Sequence, residues 1–147
     1  VAIFGLLLSH RNHQRVIAAG TIPALVNLLA ISEKVELTTD ALAVLATLAD
    51  SVNGSSKILE SSALPTVSGL LHSTTSRAGK EYCLSILHSL CLNCGADVIS
   101  VLAKDQSLMP ALYSLVTEGT SPAGKKARSL IKILHKFGET SSSGSIR

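Results

Sequence analysis

Tryptophan is missing from this 147-residue chain, and tyrosine and phenylalanine contribute two residues each. A β-sandwich fills its pleated faces with aromatic and β-branched side chains. This poverty, beside abundant Leu, Ala, Ser and Val, favours a core of aliphatic side chains on helices. Cysteine is scarce and odd in number: three residues without secretory context make no disulfide framework and read as reduced thiols of a cytoplasmic or nuclear protein. Charge of one sign is lacking too. Thirteen basic against ten acidic residues leave a formal net charge of +3, too weak a field to imply nucleic acid or a membrane surface as partner. The apolar start, Val1-Ala2-Ile3-Phe4-Gly5-Leu6-Leu7-Leu8, is too short to span a bilayer and has no basic region before it, so neither a signal peptide nor an anchor is expected. What remains, 46% hydrophobic with 16% charged residues, excludes a disordered chain and suffices for one continuous core.

The chain repeats itself. Ile22-Pro23-Ala24-Leu25-Val26-Asn27-Leu28-Leu29 recurs as Leu64-Pro65-Thr66-Val67-Ser68-Gly69-Leu70-Leu71 and as Met109-Pro110-Ala111-Leu112-Tyr113-Ser114-Leu115-Val116, with the prolines 42 and then 45 residues apart. The apolar residues after each Pro form one stripe of a short helix. The Pro belongs in the first turn, where its missing N–H has no intrahelical partner to lose. A second helix follows in each copy, with Ala41, Val44, Leu45 and Leu48, then Cys83, Ile86, Leu87 and Leu90, then Ala127, Leu130, Ile131 and Leu134 as its buried side. The small residue at the head of each set allows close helix approach, and the branched residues fill the space between repeats. Before each Pro lies a shorter apolar patch, Val16-Ile17, Ile58-Leu59 and Val101-Leu102, the mark of a first short helix. Gly20 stands where that helix must turn sharply into the next.

Three helices per repeat therefore divide the chain into an opening segment and three copies. Residues 1–10 read as the last helix of a truncated upstream repeat, since Ile3 and Leu6 fall one period before Leu45 and Leu48. Full repeats occupy residues 11–51, 52–97 and 98–137. Residues 138–147 read as a disordered tail, because Thr140 to Ser145 are too small and polar to pack.

This pattern of apolar-Pro-x-apolar-apolar-x-Leu-Leu, then Ala-x-x-apolar-Leu-x-x-Leu, resembles the armadillo repeat; HEAT repeats, the alternative, have two helices. The fold expected is an all-α, right-handed α-α superhelix. Within that class, Arg15 to Val26, Gly79-Lys80-Glu81-Tyr82-Cys83-Leu84 and the ending Glu118-Gly119-Thr120-Ser121, Lys125-Lys126-Ala127, Leu130-Ile131 are similar to the armadillo region of plant U-box ubiquitin ligases. The resemblance implies a parent protein whose U-box recruits a ubiquitin-conjugating enzyme while the repeats hold a substrate or regulator, possibilities that extend to plant defence and stress responses. A stand-alone armadillo scaffold without ligase activity is the alternative.

In armadillo arrays the last helix of each repeat lines a concave groove, and import receptors place Trp and Asn ladders there for basic peptides. Here those positions are Ala43 and Thr47, Ser85 and Ser89, Ser129 and Ile133, which speaks against import cargo. Thr47, Ser85, His88 and Ser89 are the candidate partner contacts, able to hydrogen-bond a peptide backbone; the competing reading is an ordinary solvated face. Lys125, Arg128, Lys132 and Lys136 recur at three- and four-residue spacing as one basic stripe, read as a polar cap on the solenoid in preference to a dock for an acidic partner. Cys91-Leu92-Asn93-Cys94 has thiol spacing for zinc or redox chemistry but lacks a second ligand pair, and packing accounts for it. His10, His13, Arg11 and Arg15 suit a solvated junction. Without a Gly-x-Ser-x-Gly context or a phosphate-binding glycine loop, no catalytic residue, metal or cofactor is expected in this segment.

Overall fold

The structure, a computed structural model, describes the backbone of residues 10–145 and the side chains of residues 12–140. The expected helix over residues 1–10, with its Ile3 and Leu6, lies outside them except for His10. The described residues form nine α-helices and no strand: α1 His10–Ala18, α2 Thr21–Ile31, α3 Val35–Leu48, α4 Val52–Glu60, α5 Ala63–Ser73, α6 Arg77–Cys94, α7 Ala96–Ala103, α8 Leu108–Glu118 and α9 Ser121–Ser145. They fall into three triplets of short, medium and long helix.

Local chemistry sets the boundaries. Pro23, Pro65 and Pro110 are each the third residue of α2, α5 and α8, among the first four positions whose N–H has no intrahelical acceptor. The turn into α2 is made by Gly20 at φ 78°, and the equivalent turn into α5 by Ser62 at φ 59°, a left-handed conformation that costs a side-chain-bearing residue roughly 1 kcal/mol. The later long helices are capped by side chains. Ser76 Oγ accepts the Gly79 N–H at 3.0 Å, and Thr120 Oγ1 accepts the Ala123 N–H at 3.3 Å, each satisfying one free donor. The helix α7 starts at Ala96, so the third triplet begins two residues ahead of the expected boundary at 98. The break is made by Gly95, whose φ of 68° and ψ of −138° stop α6.

Packing between triplets builds the core. Ala41, Val44, Leu45 and Leu48, then Cys83, Ile86, Leu87 and Leu90, then Ala127, Leu130 and Leu134 are buried, and Ile131 is half-buried. The three long helices lie side by side, α3 against α6 and α6 against α9. Leu42 and Leu84, at the same register on α3 and α6, are fully buried, whereas Arg128 occupies that register on α9 and is exposed. A polar clasp crosses the first joint: Asn93 Nδ2 donates to the Ala49 carbonyl and to Ser55 Oγ, both at 3.0 Å, while Ser55 Oγ donates to the Ala49 carbonyl at 2.6 Å. These bonds satisfy the hydroxyl of the fully buried Ser55.

At the C-terminal end α9 continues through Gly138 to Ser145, where the sequence reading placed a disordered tail from residue 138. Nothing there terminates a helix: Gly138 does not take a left-handed turn, and Thr140 Oγ1 donates back to the Lys136 carbonyl at 3.0 Å. Gly138, Glu139 and Thr140 are exposed.

Two substitutions test this joint and turn. A Cβ at Gly54 would collide with the Leu48 carbonyl oxygen, a backbone atom, so Gly54→Ala is expected to destabilise the fold by about 2–3 kcal/mol, as overpacking does. Ser62 makes no capping hydrogen bond from its side chain, so Ser62→Gly is expected to stabilise the fold by about 0.5–1 kcal/mol through relief of positive-φ strain. Urea denaturation followed at 222 nm checks both.

Candidate partner-binding face

Because residues three and four apart share one side of a helix, the long helices present matching columns. Tyr82, Ser85 and Ser89 on α6 align in register with Lys126, Ser129 and Ile133 on α9, and with Asp40, Ala43 and Thr47 on α3. The structure leaves Thr47, Ser85, His88 and Ser89 half-buried. The last three are brought together on α6, and Thr47 stands beside Ser89's register on the neighbouring helix. They differ in availability. Thr47 Oγ1 donates to the Ala43 carbonyl at 3.0 Å and Ser129 Oγ to the Lys125 carbonyl at 3.1 Å, a local bond that draws each hydroxyl back onto its own helix. Ala43, assigned by register to the position of a groove aromatic, is buried at 4% exposure and therefore offers no surface.

Between α6 and α9 an open hollow of about 270 Å³ is lined by His88, Pro122, Lys125, Lys126 and Ser129. Burial, and after it the Lys126 ammonium, holds the His88 imidazole below its ordinary value, favouring the neutral ring. Lys126 was not among the residues singled out by sequence; the signal that finds it is its register with Tyr82 and Asp40. Of the basic stripe, only Lys125 reaches this hollow. Arg128, Lys132 and Lys136 are exposed, and Arg128 covers the register at which the preceding repeats stack.

The thiols are placed for packing. Cys83 and Cys91 are buried and Cys94 is half-buried, all unpaired. Burial pushes the Cys83 thiol up to about 12 and, with a smaller contribution from Cys94, the Cys91 thiol up to about 11. Cys94 is also raised, by burial and then by Asp97. A raised thiol is a poor nucleophile and metal ligand. No group of three or more His, Cys, Asp or Glu among the described residues is placed to hold a metal ion.

One surface cluster brings hydroxyl, imidazole and carboxylate together. Ser107 Oγ donates to Asp105 Oδ1 at 2.7 Å and lies 3.3 Å from His72 Nε2. The order is wrong for nucleophile activation, since the carboxylate holds the serine and not the imidazole. The bonds from Ser107 hold the Asp105 carboxyl below its usual range, as suits an Asx turn ahead of α8.

A stack of three-helix repeats with aligned long helices and no catalytic constellation on them defines an armadillo-type solenoid. Solved structures agree on the fold. The designed armadillo repeat protein YIII(Dq)4CqI superposes with a TM-score of 0.74 at 23% identity, covering 86% of this chain and 52% of that one. A computationally designed armadillo repeat protein for modular peptide recognition gives 0.71 at 22% identity, covering 85% of this chain and 51% of that one. Residues 1–143 match the plant U-box protein ARM repeat region, and the chain belongs to that family. U-box domain-containing proteins 18 and 19 of Arabidopsis thaliana are each 38% identical over 142 residues, 95% of this chain. U-box domain-containing protein 1 of Medicago truncatula is 32% identical over 126 residues, 85% of this chain. The chain spans about a fifth of the length of these relatives, 20%, 21% and 18% respectively.

The thiol assignment is checked by alkylation with iodoacetamide at pH 7.5. In the native chain Cys83 and Cys91 are expected to resist modification and Cys94 to react slowly, whereas all three react fully in guanidinium; rapid native modification of Cys91 contradicts the packing role.

Proposed function

We propose that this chain is the partner-binding arm of a plant U-box ubiquitin ligase, holding a substrate or regulator along the face of its long helices. The observation that carries this reading is the aligned, partly open row of Thr47, Ser85, His88 and Ser89 in a chain of the U-box family's repeat region. Small polar side chains on rigid helices suit the backbone of an extended segment, and a designed armadillo protein built for peptide recognition shares the fold. Ubiquitin transfer itself belongs to the U-box of the parent protein, which would dock the conjugating enzyme, in plant defence or stress signalling. Three unpaired thiols support a reducing compartment, cytoplasm or nucleus.

Ubiquitination by the full-length parent tests the reading. The double substitution Thr47→Arg with Ser89→Arg is expected to reduce substrate ubiquitination about tenfold, an affinity loss of roughly 1.4 kcal/mol, while self-ubiquitination and the circular dichroism spectrum stay unchanged. Undiminished substrate ubiquitination would remove the long-helix face from the mechanism. Substrate capture without any ubiquitin transfer by the parent would make the protein an armadillo adaptor.

A further inference from the structure

We propose that the α6–α9 end of this face takes an acidic stretch of the partner protein, with an Asp or Glu side chain seated in the hollow between His88 and Lys126. This deepens the partner-binding reading and rests on it.

The long helices sort their charges by repeat. Positions four apart on one side of each helix are Glu36 and Asp40 on α3, Ala78 and Tyr82 on α6, and Pro122 and Lys126 on α9. The same register thus runs from negative through neutral to positive across three helices. Lys125 extends the positive end, at the register of Thr39 and Glu81.

These cations are not neutralised within the described chain. Its one side-chain ion pair within 4 Å is the exposed Lys57–Glu60 contact. Glu81, the carboxylate nearest in register, instead accepts the hydroxyl of Thr120. The hollow's volume, about 270 Å³, exceeds the roughly 30 Å³ of a water several-fold and admits a carboxylate side chain. Its lining supplies two ammonium groups and the His88 ring, which burial and Lys126 keep neutral. No arginine lines it, and lysine acts as a point charge and not a planar fork, so the site recognises an anion by charge, and the anion that a polypeptide partner supplies is a carboxylate.

Distance confines the preference to one end. Packed helices lie about 8–10 Å apart, which puts the α3 register roughly 20 Å from that of α9, two Debye lengths at physiological salt. An acidic stretch on α9 therefore escapes repulsion from Glu36 and Asp40. At about 3.3 Å per extended residue, it is followed some six residues along by a part of the partner that must avoid negative charge. The face consequently selects a charge pattern, acidic over α9 and not over α3.

Backbone amide NMR on the intact chain tests this with a peptide of about ten residues, long enough to span the three helices. Glu alternates with Ser over one half of it and the other half is uncharged Ser and Gly; its Lys counterpart and inorganic phosphate are the comparisons. The Glu peptide is expected to shift the amides of His88, Lys126 and Ser129 and the Lys peptide to leave them unmoved. Lys126→Gln should weaken the Glu peptide several-fold and Lys126→Glu about tenfold or more, as loss of a close charge partner does, with circular dichroism confirming that both variants fold. Absent shifts, equal affinity in the variants, or phosphate reproducing the shifts at the peptide's concentration would each overturn the proposal. None of these outcomes touches the partner-binding reading, which falls only if the Thr47 and Ser89 variant ubiquitinates its substrate normally.

Discussion

A three-helix unit of some forty residues has more apolar surface than it can cover by itself, and the architecture follows from that shortage. Leu42 and Leu84 are fully buried in the stacked array, and burying such a side chain is worth roughly 1.5–3 kcal/mol. Repeats stack because no single one holds a core. The close approach at Gly54 and the Asn93 clasp to Ala49 and Ser55 belong to the first of these joints. On α9 the register of Leu42 and Leu84 is held by Arg128, which is exposed.

Stacking also creates the candidate binding face. Helices satisfy their own backbone groups, so aligning α3, α6 and α9 frees one column of side chains per repeat for recognition. The columns are modest in chemistry, small hydroxyls and one imidazole, with thiols withdrawn into the core and raised by burial. What distinguishes one end from the other is charge. Lys125 and Lys126 line one hollow with His88 across the α6–α9 joint, and Asp40 occupies the register of Lys126 on α3.

Much of this was legible in the sequence because it repeats. Three copies of a Pro-led helix followed by a long helix leave little freedom in fold, and the buried positions from Ala41 to Leu134 could be read from spacing alone, Ile131 excepted, which is half-buried. Contacts between copies were less legible. Ala43 read as a groove position and is buried, since register along a helix does not say how closely its neighbour lies. Lys126 was passed over in favour of the stripe at Lys125, Arg128, Lys132 and Lys136, because helical spacing groups residues on one helix and is blind to the hollow formed with His88 on another.

The end of the chain shows the same division. Composition marked Thr140 to Ser145 as unable to pack, yet helix α9 runs on through them, because continuing a helix needs only the backbone bonds of the preceding turn. By itself the sequence determined the helices, their order, their apolar faces and the repeat period, all properties of residues near one another in the chain. The tertiary structure alone decided which columns face each other across a joint, which thiols lose solvent and where a lysine meets a histidine 38 residues before it, since those depend on the rotation and distance between packed helices.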